Sequence, residues 1–193
     1  MKKSRKVLLC LFLLILTGGT VYLTKSYFDF KKREKMYDSL IVETANRHNI
    51  PPSLVKAVIR RESKFKANVR GGHGEYGLMQ ITEGAADDWI KATRKKEFES
   101  YQQLFVPELN IEIGTWYLAK AYKKFHDYKN VYALVLAQYN AGPGAVLKNK
   151  WVPSHKNGEV LKLITFPSTK AYIKDILKYE LAYKSKGFSS ERN

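Results

Sequence analysis

Residues 51–63 read PPSLVKAVIRRES, and this stretch decides the fold because it combines a helix start with a strong helical period. Two prolines open it, and proline suits the first turn of a helix, where its missing N–H is not needed. At about 100° of rotation per residue, one stripe of the helix is apolar. That stripe holds Leu54, Val55, Val58 and Ile59. Glu62 falls near its centre, whereas Lys56 and Arg60 fall opposite. The segment therefore predicts an amphipathic helix with one acid on its buried face.

Two effects are expected to raise the pKa of Glu62. Partial burial disfavours the carboxylate, and the last turn of a helix is negative because its carbonyl groups are unpaired. A carboxylic acid that keeps its proton near neutral pH suits general acid catalysis. The alternative is a solvated glutamate paired with Arg61 or Lys66, the commoner arrangement at a surface. On this segment alone both interpretations stay open.

The chain has 193 residues, 45% of them apolar and 13% aromatic, which suits one globular domain with a substantial core. Residues 1–6 are basic, and residues 7–23 form an uncharged apolar run. We interpret the run as a transmembrane signal anchor, with a cleaved signal peptide and secretion as the alternative, because the site around Gly18 is poor for cleavage. The predicted divisions are a basic cytoplasmic N-terminus (1–6), the membrane anchor (7–23), a basic linker (24–36), an extracytoplasmic domain (37–185) and a tail (186–193).

The formal net charge of +16 favours an anionic neighbourhood such as anionic lipid or anionic cell-wall polymers. Export makes nucleic acid the least favoured partner, and a basic surface that only serves solubility is the plain alternative. Cys10, the only cysteine, lies inside the apolar run, so the exported part has no thiol and no disulfide. The four histidines show no paired ligand spacing, and we expect no metal and no cofactor.

Past residue 36 the pattern predicts helices separated by turns, which makes the protein mainly α. Helices are expected at 37–48, 51–62, 83–92, 107–125, 131–140 and 168–183. The fifth should stop at Gly142-Pro143-Gly144. The loop at 71–77 formally contains GxGxxG, but no strand precedes it, so a dinucleotide site is rejected. Its glycines would instead let the backbone turn tightly and approach a ligand closely.

Three short motifs follow one another at domain-scale spacing. They are Glu62-Ser63-Lys64-Phe65, Gly77-Leu78-Met79-Gln80 and Gln138-Tyr139-Asn140-Ala141-Gly142-Pro143-Gly144. Together they resemble the signatures of the lytic transglycosylase domain of the soluble lytic transglycosylase (SLT) family, over about residues 37–183. The resemblance implies a goose-lysozyme-like fold and cleavage of peptidoglycan between N-acetylmuramic acid and N-acetylglucosamine, with 1,6-anhydromuramic ends as products.

The resemblance also implies roles for single residues. Glu62 matches the one catalytic acid of the family. Its substrate-binding positions are matched by Ser63, Met79, Gln80, Tyr139, Asn140 and Tyr172. Each has a plain structural alternative, since Met79 and the two tyrosines suit a core and Asn140 suits a helix end.

Three positions depart from the family. Glu75 stands where a small residue is frequent, Gln138 stands where alanine is frequent, and Ser168-Thr169-Lys170 replaces a common Glu-Thr-Arg. We expect Glu75 to contact substrate or to act electrostatically. Two rival functions stay open: a hydrolytic muramidase that uses Glu75 as a second carboxylate, and a non-catalytic wall-binding protein that keeps only the fold.

Overall fold

In the computed structural model, which describes residues 2–94 and 99–188, the chain is mainly helical. The helices are α1 (Lys2–Met36), α2 (Asp38–Arg47), α3 (Pro52–Ser63), α4 (Glu83–Thr93), α5 (Pro107–Phe125), α6 (Val131–Lys148), α7 (Val160–Leu163) and α8 (Pro167–Lys184), with a 3₁₀ helix at Tyr101–Phe105. β structure within the described ranges is limited to two isolated bridges. The six predicted helices are present with ends within a few residues of those expected, apart from α6, which extends further.

Helix α3 lies at the centre of the domain, packed against α8 on one side and α2 on another. Its apolar stripe is buried as predicted. The predicted polar face is not solvated, however: Lys56 is 4% exposed, forms an ion pair with Asp38 and lies 4.1 Å from the centre of the Phe188 ring. Arg60 lies 4.1 Å from the ring centre of Tyr179. Long basic side chains can be covered in this way because their stems are apolar and their charges find acids or ring faces.

The loop between α3 and α4 is irregular but well braced. Bridges join Arg70 to Tyr76 and Tyr76 to Ile81. Below them Asn110 of α5 is fully buried and satisfies three backbone groups: it donates to the carbonyls of Tyr76 (2.8 Å) and Leu104 (2.6 Å), and it accepts from the N–H of Met79 (2.7 Å). A buried amide with its hydrogen bonds satisfied fixes a loop that has no ladder of its own.

Helix α6 bends at Gly142 and then continues to Lys148. The expected stop at Gly142-Pro143-Gly144 is therefore only partly correct. Gly142 has φ 80° and ψ 158°, a conformation that favours glycine, and it interrupts the helix there. Pro143 then occupies the start of the next helical turn, where proline is tolerated, so the helix resumes.

The chain divides into two compact units, one up to Tyr37 and one from Asp38 onward. In the first unit the segment expected to be a basic linker, residues 24–36, is helical and continues α1. This segment has no glycine or proline to break the helix. Among the residues searched, no helix is long and apolar enough to cross a membrane. Several side chains of the predicted anchor, at 7–11, 14 and 15, lie outside the described residues, as do residues 189–193 of the predicted tail.

Candidate active site

The last turn of α3 brings Glu62 against α8. The hydroxyl of Tyr172 donates a hydrogen bond to Oε1 of Glu62 at 2.5 Å, and Tyr172 is only 2% exposed. The guanidinium of Arg61 lies 5.5 Å from the centre of the Tyr172 ring and pairs with Asp175 at 3.3 Å. A buried phenol thus orients the carboxylate.

Burial raises the pKa of Glu62 to about 7, and the negative charge of Glu75 acts in the same direction. The hydrogen bond from Tyr172 and the positive charge of Arg61 lower the pKa but do not outweigh burial. The expectation that burial raises this pKa is confirmed. Near neutral pH the group exists in both forms, so it can give a proton and take one back.

Tyr139 and Asn140 of α6 face the same region. The Tyr139 hydroxyl donates to the carbonyl of Met79 at 2.8 Å, and Oδ1 of Asn140 accepts from the Thr169 hydroxyl at 2.8 Å. Burial raises the pKa of both Tyr139 and Tyr172 well above the ordinary value, and the charge of Glu62 adds to this. Both phenols therefore stay protonated as hydrogen-bond donors. We call Glu62, Tyr139, Asn140 and Tyr172 the helical wall.

The opposite side, the loop wall, consists of Gly71, Glu75 and Gln80. Oε2 of Glu75 accepts from the backbone N–H of His73 at 3.0 Å. Gln80 adopts a positive φ of 50°, and its Nε2 donates to the carbonyls of Gly77 (2.8 Å) and Val69 (3.1 Å). Gly71 leaves room for both side chains, since a Cβ there would touch the Glu75 carboxylate and lie 2.5 Å from Oε1 of Gln80.

A cavity of about 280 Å³, the Glu62 cavity, lies between the two walls and is lined by Glu62, Glu75, Gln80, Tyr139 and Asn140. A side cavity of about 170 Å³ shares Gln80, Thr82, Tyr139 and Asn140 with it and extends to Tyr117 and Gln138. Five of the eight predicted site residues thus line one cavity although they are far apart in sequence, and Tyr172 contacts Glu62 from behind. Because the two cavities share four residues, together they form a cleft.

Ser63 and Met79 are not brought into the cleft by their side chains. Ser63 is 5% exposed, and its hydroxyl donates to the carbonyl of Ile59 at 3.2 Å. Successive helical residues point about 100° apart, so Ser63 cannot share the direction of Glu62. Met79 is fully buried, and its sulfur packs where a Cβ at Gly114 would be. Its contribution to the cleft is its backbone carbonyl, which binds Tyr139.

Three residues that line the cleft, Thr82, Tyr117 and Gln138, were not expected from the sequence, nor was Thr169, which contacts Asn140. Thr82 lines both cavities and caps α4 by accepting from the N–H of Ala85. Tyr117 lies 6.2 Å from Tyr139, ring centre to ring centre. The departures from the family at Gln138 and around Thr169 were the one sequence signal that pointed to two of them. Within the described ranges, no group of three or more acidic, histidine or cysteine side chains is placed to hold a metal ion.

A partly buried acid at the end of a central helix, facing an open cleft, is the arrangement of a lysozyme-like glycan-cleaving fold. The profile of the Transglycosylase SLT domain matches residues 39–161, and the chain belongs to this family. Helix α8, which carries Tyr172, lies beyond the matched residues.

Individual relatives agree with the family. The chain is 33% identical over 153 residues to the soluble lytic murein transglycosylase of Escherichia coli K12, covering 77% of this chain and 23% of that protein. It is 30% identical over 186 residues to the membrane-bound lytic murein transglycosylase E of Buchnera aphidicola, covering 89% of this chain and 82% of the relative. Some relatives are thus membrane-bound enzymes.

Among solved structures, an inactive glutamate-to-glutamine mutant of lytic transglycosylase Slt from Pseudomonas aeruginosa superposes with a TM-score of 0.69 at 30% identity. The match covers 78% of this chain and 24% of that one. The predicted mainly α, lysozyme-like fold is confirmed. The chain spans only about a quarter of the length of the soluble relatives it matches.

Proposed function

We propose that this protein is a lytic transglycosylase that cleaves the β-1,4 bond between N-acetylmuramic acid and N-acetylglucosamine in peptidoglycan. The observation that carries the proposal is Glu62: a single carboxyl group, partly buried with a pKa of about 7, that opens onto a cleft between two polar walls. Relatives named lytic murein transglycosylases support the same reaction.

In this reaction the protonated Glu62 gives its proton to the glycosidic oxygen as the bond from that oxygen to C1 of the muramic residue breaks. The acetamido group of that sugar stabilises the oxocarbenium-like centre. The Glu62 carboxylate then takes the proton of the sugar's own 6-hydroxyl as O6 bonds to C1. No water is consumed, and Glu62 ends as it began. One carboxyl group is enough because the substrate supplies the group that most glycosidases take from a second carboxylate.

The test is mass spectrometry of muropeptides released from purified peptidoglycan. A transglycosylase leaves anhydromuramic ends, which are lighter by one water molecule than the reducing ends left by a hydrolase. We expect anhydro ends to dominate and to be absent with Glu62→Gln. A folded protein that binds peptidoglycan without any release would instead indicate a wall-binding role.

A hydrolytic muramidase is the second candidate, favoured by one observation. Glu75 lines the same cavity as Glu62, and its charge contributes to the raised pKa of Glu62. Inverting glycosidases place two carboxyl groups roughly 6.5–9.5 Å apart with a water between them. Reducing ends that disappear with Glu75→Gln would establish this mechanism and overturn the first.

We further propose that residues 7–23 anchor the protein in the cell membrane, with the catalytic domain outside the cytoplasm. The uncharged run, the basic residues before it and the existence of membrane-bound relatives support this proposal. The charge of +16 would draw the domain to anionic wall polymers. Fractionation combined with N-terminal sequencing tests the anchor, since a soluble exported form that begins near Gly19 would indicate a cleaved signal peptide.

A further inference from the structure

Gln138 is a polar side chain that the reaction above does not use. It lies on α6 directly before Tyr139, is 4% exposed and borders the side cavity. Its Oε1 is enclosed and has no hydrogen-bond partner among the described residues. A buried carbonyl without a donor destabilises a fold, so such a group in a cleft calls for a ligand that satisfies it.

Rotation of the Gln138 carboxamide would bring Oε1 to the side cavity. Because Oε1 makes no hydrogen bond within the described part of the chain, rotation about the last side-chain bond breaks none at that atom. The side cavity, at about 170 Å³, also has far more room than the roughly 10–15 Å³ that one water requires. It therefore admits a substituent of several heavy atoms.

The rest of the side cavity is suited to a small group that is both apolar and able to donate. Ile81, Ala85 and Tyr117 line it with aliphatic and aromatic surface, while Gln138 supplies an acceptor that has no partner among the described residues. An acetamido group has this combination: a methyl for the apolar surface and an N–H for the acceptor. A free ammonium has no methyl for the apolar surface and would lose part of its hydration in the same place, which costs free energy.

We infer that Gln138 is a specificity-determining residue that reads the N-acetyl group of a hexosamine, with Oε1 accepting the amide N–H while the methyl packs against Ala85 and Tyr117. The inference rests on the proposed function for the kind of glycan, but it concerns binding and not the bond that is cleaved. Gln138 thereby selects N-acetylated over de-N-acetylated glycan strands.

The experiment measures binding in a Glu62→Gln background, so that cleavage does not interfere. Soluble β-1,4 oligomers of N-acetylglucosamine and of glucosamine are titrated against this protein and against the same protein with Gln138→Met, which keeps the length of the side chain but has no amide. We expect Gln138→Met to weaken binding of the N-acetylated oligomer about 3- to 10-fold, the range of one hydrogen bond, and to leave the glucosamine oligomer unchanged.

The matched control is Thr115→Val. Thr115 is fully buried on α5, its Oγ1 also lacks a partner in the described ranges, and it borders neither cavity of the cleft. Thr115→Val should leave the affinities for the N-acetylglucosamine and the glucosamine oligomer unchanged. Neither Gln138→Met nor Thr115→Val should lower the melting temperature, because neither removes a hydrogen bond of the folded state.

Equal weakening of both oligomers, no weakening at all, or no binding of the N-acetylated oligomer would overturn the inference. A marked fall in the melting temperature of both Gln138→Met and Gln138→Ala would also overturn it, since the amide would then support the fold. Cleavage by the wild-type protein is scored separately. A protein that discriminates the oligomers through Gln138 yet cleaves nothing would refute the proposed reaction and keep this inference.

Discussion

The two walls of the cleft hold their side chains by different means. The helical wall draws its residues from α3, α6 and α8, where each side chain direction follows from a packed helix, and Glu62 rests on a phenol that is 2% exposed. The loop wall has no regular element, and its side chains are held by local backbone groups such as the His73 N–H and the Gly77 carbonyl.

This difference suggests a division of labour. The helical wall fixes the position and protonation of the acid, because burial is the largest influence on the pKa of Glu62. The loop wall adds negative charge through Glu75 and determines the shape of the cavity through Gly71 and Gln80. Substitutions in the helical wall should slow the chemical step most. Substitutions in the loop wall should alter the shape of the cavity and the pH dependence, with a smaller loss of activity.

The largest effect is expected for Glu62→Gln in the helical wall. The amide keeps the size of the side chain but cannot transfer a proton, and general acid–base assistance is worth about 10²- to 10⁴-fold. Because one group serves both proton transfers, kcat should fall by the upper end of that range or more. Turbidity clearing of cell walls measures the loss, with circular dichroism to show that the variant is folded. Cleavage at the wild-type rate would remove Glu62 from the mechanism.

A smaller loss is expected for Gly71→Ala in the loop wall. The added methyl would collide with the ends of Glu75 and Gln80, which are flexible and will move away. We expect kcat/KM to fall about tenfold through misplaced side chains, while the free energy of unfolding changes by less than about 1 kcal/mol. Gly84→Ala in α4 is the matched control, since its methyl meets nothing within 4 Å. An equal loss of activity in both variants would contradict the proposed close approach at Gly71.

The two walls should shift the pH profile in opposite directions. With Glu62 as the acid, kcat/KM of the wild-type protein should decline as pH rises through about 7. Tyr172→Phe removes a hydrogen bond that favours the carboxylate, so the pKa of Glu62 rises and the decline of kcat/KM moves to higher pH. Glu75→Gln removes a negative charge that raises the pKa of Glu62, so the decline of kcat/KM moves to lower pH. Shifts in the same direction would show that the walls do not act on Glu62 as described.

The smallest effect concerns stability. The pKa of Glu62 is higher in the folded protein than its ordinary value of 4.5, so its proton stabilises the fold below about pH 4.5, and this contribution is lost as pH rises through about 7. Glu62→Gln lacks this loss. From about pH 4 to pH 8, the wild-type protein should therefore lose about 1–3 kcal/mol more of its free energy of unfolding than the variant does. This figure allows for the partial exposure of Glu62. Urea unfolding at both pH values measures the difference, and a constant difference would contradict the raised pKa.

The helical wall was largely predictable from the sequence. The period of residues 51–63 gives the buried direction of Glu62, and prolines at 52 and 107 mark helix starts that the structure keeps. What failed there was local: a period cannot tell that α8 covers Lys56, nor that a helix resumes after Gly142. Both depend on tertiary packing, which a short stretch of sequence does not encode.

The loop wall was predictable only in part. The glycines indicated a tight turn, yet the positive φ of Gln80 and the three hydrogen bonds of Asn110 follow from contacts between distant segments. Ser63 and Met79 were assigned to the cleft through motif resemblance, which locates a residue along the chain but not the direction of its side chain. Gln138 was visible only as a departure from a family pattern, with no sign that its carbonyl lacks a partner.

The hydrogen bond between Thr169 and Asn140 determines which group an inhibitor of this cleft has to offer to Asn140. Because the Thr169 hydroxyl donates to Oδ1, the exposed Asn140 amide presents its Nδ2 hydrogens to an incoming molecule, which should offer a carbonyl, hydroxyl or carboxylate oxygen there. The Glu75 carboxylate lines the same cavity and would be satisfied by a hydrogen-bond donor or a cation. A compound with these two groups exchanged would leave both side chains unpaired at about 1–3 kcal/mol each, which corresponds to roughly tenfold or more in Kd per contact.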